Sequence, residues 1–276
     1  MRIASWLIGA ACLVPLTPML AQGIAPLPVL IQPTGKWVMK GENRMCILSR
    51  DYSVAGRPLT LGIKTVPVGE DATVIVVDAA RTRREWEGTI DINGIPTPRK
   101  PNWGYSFVPR SGNIRLTSVH TKKARLDAPA ASGVLALRGG KLIDVNFAVP
   151  GMKAALSVLR QCNEALAEQL GMPVAEQRRV ATPAEPKTPL FMLFSPDDYP
   201  YKALMQSRGG EPLVMLVIDP AGAVKSCQVI ESSGTESLDA RTCLVVAHAK
   251  FSPARDKAGE PMQSLYFFWI RWLVTS

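Results

Sequence analysis

The stretch Asp219-Pro-Ala-Gly-Ala-Val-Lys-Ser-Cys-Gln-Val-Ile-Glu-Ser-Ser-Gly234 decides the fold of the C-terminal third. Asp219, Pro220 and Gly222 stand first, second and last, the order a type I turn prefers. Before the turn, Leu213 to Ile218 is apolar and β-rich, and after it Ala223 to Glu231 reads as the returning strand. Ser232 to Ser237 then breaks the strand and supplies hydroxyls suited to a helix start. Leu238, Thr242, Val245 and Ala249 follow with helical spacing. Asp239 falls in the first turn, where the helix dipole favours an anion.

Working outward, Asp197 and Asp198 fit the start of a short helical run over Tyr201 to Gln206. Phe251 to Arg255 ends the second helix, and Lys257-Ala-Gly259 makes a turn. Met262 to Val274 is expected as a last strand, rich in aromatics. The order helix, strand, strand, helix, strand predicts an antiparallel three-stranded sheet with two helices on one face over 190–276. Pro173 to Pro189 holds four prolines and is expected to be an extended, semi-rigid linker.

The stretch 36–172 reads differently. Short β-branched runs such as Leu59 to Ile63 and Thr73 to Val77 alternate with turn clusters, among them Asn93-Gly94 and Gly139-Gly140. That pattern predicts a β-sandwich or barrel, so the fold class is α+β. Ala155, Leu159, Cys162 and Leu166 share one face of a helix that closes this domain. Residues 22–35, with Pro26, Pro28 and Pro33, form an extended lead-in.

Residues 1–21 carry a positive start, an apolar run from Ile3 and small residues before Gln22, the pattern of a secretory signal. Export to the periplasm is therefore expected, with an uncleaved inner-membrane anchor as the alternative. Loss of Cys12 with the signal leaves Cys46, Cys162, Cys227 and Cys243, an even number in an oxidising compartment. Four cysteines allow three pairings. The element positions favour Cys46 with Cys162, and Cys227 with Cys243 stapling helix to sheet.

The chain has a formal net charge of +9. From Leu190 onward there are 8 basic and 9 acidic residues, against 23 and 14 between Gln22 and Pro189. The excess sits in the N-terminal part, which could face an anionic envelope surface. Export argues against a nucleic-acid partner. His120 and His248 lack the spacing of a metal site or a triad. No phosphate loop or dinucleotide fingerprint occurs. No enzyme and no cofactor is expected.

Tyr199-Pro200, Gly222-x-Val224, Val229-Ile-Glu-Ser-Ser-Gly234, Leu238-Asp239 and Phe251-x-Pro253-Ala254 with Gly259 together resemble the C-terminal domain of TonB, from Pro196 to Val274. The resemblance implies a domain that binds an extended receptor segment by adding it to a sheet edge. It assigns protein binding to Tyr199 and Pro200 and to the last strand through Leu265, Tyr266, Phe267, Phe268, Trp269, Ile270 and Arg271. Arg271 is also expected to guard the edge against unwanted pairing. The implied partner is an envelope protein such as a TonB-dependent outer-membrane receptor. The N-terminal half loosely resembles the invasion-associated locus B type of periplasmic β domain, through Trp37, Cys46 and Phe147-x-x-Pro-Gly151.

The chain departs from the transducer pattern in three ways. Its N-terminus has no histidine for a motor-facing Ser-x-x-x-His pair, its spacer is short, and Pro196-Asp-Asp-Tyr-Pro200 lacks the glutamine of the family's lead-in. A periplasmic TonB-like binding protein is the expected function. A membrane-anchored TonB-type energy transducer and an envelope enzyme in the basic domain remain alternatives.

Overall fold

The computed structural model describes residues 29–42, 44–79, 86–93, 102–108, 113–140, 143–169, 171 and 173–274. The expected signal, most of the lead-in and Gly94 lie outside them. No helix among the described residues is long and apolar enough to cross a membrane.

The N-terminal part runs β1 (Leu30–Ile31), β2 (Val38–Glu42), β3 (Met45–Val54), β4 (Arg57–Thr65), β5 (Asp71–Ala79), β6 (Trp86–Thr89), β7 (Asp91–Ile92), β8 (Trp103–Phe107) and β9 (Ile114–Lys122). It continues through α1 (Asp127–Ser132), β10 (Val134–Arg138), β11 (Asp144–Ala148) and α2 (Met152–Gln169). Seven strands form one sheet in the order β2-β3-β4-β5-β9-β8-β6, and four form a second in the order β1-β11-β10-β7. Leu48, Leu61, Ile63 and Val74 on the large sheet and Leu135, Leu137 and Phe147 on the small one belong to a single buried cluster.

Helix α2 closes this core with Met152, Ala155 and Leu159. Cys162 on α2 is bonded to Cys46 on β3, 116 residues away. The Pro150 carbonyl, just before α2, accepts from Trp37 Nε1 at 3.0 Å and Arg50 Nη1 at 2.7 Å. That explains why Trp37 and the Pro150-Gly151 turn belong to one structural unit.

After α3 (Val174–Gln177) comes β12 (Glu185–Pro186). The segment expected as an extended, semi-rigid linker is laid along the C-terminal domain. β12 pairs antiparallel with β15 (Phe251–Ser252), and Ala181 N–H donates to the Arg255 carbonyl at 2.8 Å. Ala184 is buried and Val180 packs beside it in the C-terminal core. A few small apolar residues among the prolines suffice to dock the segment, which a reading by proline content overlooks.

The C-terminal domain runs α4 (Tyr201–Met205), β13 (Leu213–Ile218), β14 (Val224–Glu231), α5 (Glu236–Val246), then β15, β16 (Ala254–Arg255), β17 (Pro261–Met262) and β18 (Ser264–Trp269). Its main sheet has the order β14-β13-β18, antiparallel throughout. At the β13–β14 turn, Asp219 Oδ1 accepts from the N–H groups of Ala221 and Ala223 at 2.9 and 2.8 Å. Gly222 has φ +82°, and a Cβ there would lie 2.1 Å from the Phe251 carbonyl oxygen. Asp239 is buried and accepts from Ser233 N–H at 2.8 Å and Ser232 Oγ at 2.5 Å. The Ser-Ser-Gly run is thus gathered by the α5 carboxylate. Thr235, at the N-cap of α5, makes no capping bond with its own side chain. Cys227 on β14 is bonded to Cys243 on α5, stapling helix to sheet.

The two faces of this sheet have different partners. Val214, Leu216 and Ile218 join Val246 and Phe251 in the C-terminal core. Leu213, Met215, Ile230 and Phe267 instead meet Met45, Val66 and Ala167 of the N-terminal part. Fully burying side chains of this size is worth roughly 1.5–3 kcal/mol each. The shared cluster therefore holds the two parts together firmly.

Candidate protein-binding edge

Strand β18 lies at one end of the C-terminal sheet, with Leu216 opposite Tyr266 and Val214 opposite Phe268. Its side chains alternate between the two faces, as the pleat requires. Tyr266 and Phe268 point into the C-terminal core, where their ring centroids lie 5.1 Å from Phe251 and 6.1 Å from Phe194. Leu265, Phe267 and Trp269 face the N-terminal part, and Trp269 stacks on His120 at 4.8 Å. Both faces of the strand are thus occupied.

What remains for a partner is the main chain. The Leu265 N–H points away from β13 and donates to Gln177 Oε1 at 3.1 Å. Main-chain direction also alternates along an antiparallel strand. Phe267 and Trp269 therefore present their N–H and C=O groups on that same outer edge.

The opposite edge, β14, is a poorer template. Its pairing with β13 shifts register at Leu213/Val214 and again at Val217/Ile218, and it carries Lys225. Bulges and an edge lysine are devices that discourage pairing.

Several residues assigned to binding from the sequence lie elsewhere. The last strand ends at Trp269. Ile270 packs with the small cluster of Ala203, Leu238 and Trp272. Trp272 exchanges two main-chain bonds with Gly210, at 2.8 and 3.2 Å, and its Nε1 donates to Thr242 Oγ1 at 3.0 Å. Trp272 keeps the register of the β13–β18 pairing as an isolated bridge to Gly210, while Ile270 and Arg271 between it and Trp269 lie outside the ladder. Arg271 does not guard the edge as an exposed charge. Its guanidinium lies 4.3 Å from the Tyr105 ring centroid and 3.2 Å from Glu87 Oε2 on β6. Tyr199 donates its hydroxyl to the Arg208 carbonyl at 2.7 Å and packs edge-on against Trp272, while Pro200 caps α4. These two residues brace the domain and do not join the β18 edge.

Beside Trp269 lies a polar cluster that the sequence did not reveal. His120 Nε2 sits 3.1 Å from Glu211 Oε1, off the line a hydrogen bond needs, and Tyr105 donates its hydroxyl to Glu211. Lys64 pairs with Glu231 at 2.5 Å. Burial pushes His120 down to about 4, helped by the charges of Lys64 and Arg271. Burial raises Glu211 to about 7 against the pull of the same two cations. The cavity they line is about 30 Å³, too small for a substrate. Glu211 is 91 positions from His120 in the chain, so no local spacing could have announced the pair.

A larger groove of about 380 Å³ is lined by residues of both N-terminal sheets, Val76 and Phe147 among the apolar ones and Arg57 and Arg115 among the polar ones. Among the described residues, no group of three His, Cys, Asp or Glu is disposed to hold a metal ion.

The three-stranded sheet backed by α5, with one unbulged edge strand, defines an α+β interaction domain. Residues 195–272 match the profile of the Gram-negative bacterial TonB protein C-terminal family. The resemblance read from the sequence is borne out over that segment. A domain of this family points to protein–protein interaction in the cell envelope and carries no catalytic role. The chain matches none of the curated proteins.

Proposed function

We propose that this is a periplasmic binding protein whose C-terminal domain takes up an extended segment of an envelope protein by strand addition along β18. The outward main chain of Leu265, Phe267 and Trp269, on the edge without bulges, is the observation that carries this reading. In strand addition the main-chain bonds supply affinity, and sequence selectivity comes from side-chain pockets along the edge. The preferred partner is the periplasm-facing segment of an outer-membrane transport receptor.

A photo-crosslinking residue at Leu273, which is 48% exposed just beyond β18, tests this in the native host. The same label at Lys225 on β14 serves as the comparison. The reading requires an adduct with an outer-membrane protein from position 273 and none from 225. Adducts from 225 alone, or from neither position, would sink it.

A further inference from the structure

We infer that the N-terminal part and the segment after it clamp the outer edge of β18, so that strand addition must first displace them. The inference rests on the reading of β18 as the addition edge and names how that edge is regulated.

An added strand would lie about 4.8 Å from β18, in the plane of the sheet. Its first carbonyl oxygen would sit within hydrogen-bond distance of an outward N–H. At Leu265 that position is already filled. Gln177, the last residue of α3, places its amide oxygen 3.1 Å from the Leu265 nitrogen. A glutamine amide has the same acceptor chemistry as a peptide group, so Gln177 mimics one residue of an incoming strand.

The other end of the edge is held as well. Arg271, two residues past Trp269, reaches Glu87 on β6 and stacks over Tyr105 on β8. Strand β6 is itself the last strand of the large sheet. One contact fills the edge at Leu265, the other ties the chain just past Trp269 to the large sheet, and both partners lie outside the C-terminal domain.

The clamp and the domain interface are separable. Phe267, Leu213 and Met215 hold the face of the sheet in the shared cluster and need not move. The polar contacts lie at the rim. Glu87 is more than half exposed and Gln177 is on a four-residue helix. An ion pair with one exposed partner, such as Arg271–Glu87, is individually weak, and Gln177 to Leu265 is a single half-buried hydrogen bond of modest net strength. They are strong enough to bias the edge closed and weak enough for a peptide to replace.

The test uses the full chain with both disulfides intact, as wild type and as Gln177→Ala, Glu87→Ala and the double variant. Amide hydrogen exchange is followed at Leu265. Affinity is measured for synthetic ten-residue peptides from the periplasm-facing segments of the host's outer-membrane transport receptors. Loss of one net hydrogen bond should speed Leu265 exchange about fivefold in Gln177→Ala. The double variant should bind a receptor peptide roughly five- to tenfold more tightly than wild type. Amides of β13 facing β14 report on folding and should not change. Unchanged Leu265 exchange in Gln177→Ala overturns the clamp. So does faster exchange combined with no gain in affinity for a peptide that wild type binds. If no peptide binds any form, strand addition fails as a function, and the Leu265 exchange alone still decides whether Gln177 holds the edge.

Discussion

His120 and Glu211 are two ionisable side chains held 3.1 Å apart with opposite pKa displacements. His120 is lowered from 6.5 to about 4, so its contribution to stability is complete above 6.5 and is lost as the pH falls toward 4. Glu211 is raised from 4.5 to about 7, so its contribution is complete below 4.5 and is lost as the pH rises through 7. Between 4.5 and 6.5 the two slopes, each about 1.4 kcal/mol per pH unit, have opposite sign and offset one another. Urea unfolding of His120→Gln should therefore show stability falling with rising pH over this range. Glu211→Gln should show it rising, with the wild type flatter than either. Parallel profiles for all three would contradict the assignment. A second residue-scale prediction concerns Gly222, where φ is +82° and the Phe251 carbonyl leaves no room for a Cβ. Gly222→Ala should cost at least about 2 kcal/mol in the same assay. Gly222 was legible as a turn residue because Asp219 and Pro220 precede it. His120 was not legible, because its surroundings are assembled from β8, β9, β18 and the loop before β13, far apart in sequence.

At the scale of elements, the bonded pairs Cys46–Cys162 and Cys227–Cys243 staple a helix to a strand in each half. On the chain-entropy account, the longer loop contributes about 4–5 kcal/mol and the shorter about 3 kcal/mol. Replacing Cys227 and Cys243 together by Ser should lower the unfolding midpoint without changing the sheet, as followed by far-UV dichroism. A loss of both β13–β18 and β13–β14 protection would instead mean that the staple is needed to form the sheet. Local signals made α2, α5, β13 and β14 readable: periodicity for the helices, a turn of fixed composition for the hairpin. The end of β18 was not readable. Apolar character continues through Leu273, yet Ile270 and Arg271 leave the ladder and Trp272 alone returns to it, in the same register, as a bridge to Gly210.

At the scale of the molecule, the C-terminal sheet is buried on both faces, one against α5 and the other against the N-terminal sandwich. In the sequence the stretch between the two halves shows only as an extended, semi-rigid linker, because a contact between distant surfaces leaves no periodic trace. Phe267→Ala, at the centre of the shared cluster, should cost about 3–5 kcal/mol. Calorimetry should record one unfolding transition for the wild type and two for this variant. A wild type that already unfolds in two steps would mean that the halves are independent. The same burial leaves the β18 main chain as the only part of that strand open to a new partner. The most direct measurement is amide hydrogen exchange across the C-terminal domain, with and without a receptor-segment peptide. Strand addition along β18 should bring new protection at Phe267 and Trp269 and leave the β14 amides unaffected. Protection confined to β14, or peptide binding that leaves Phe267 and Trp269 unprotected, would contradict it.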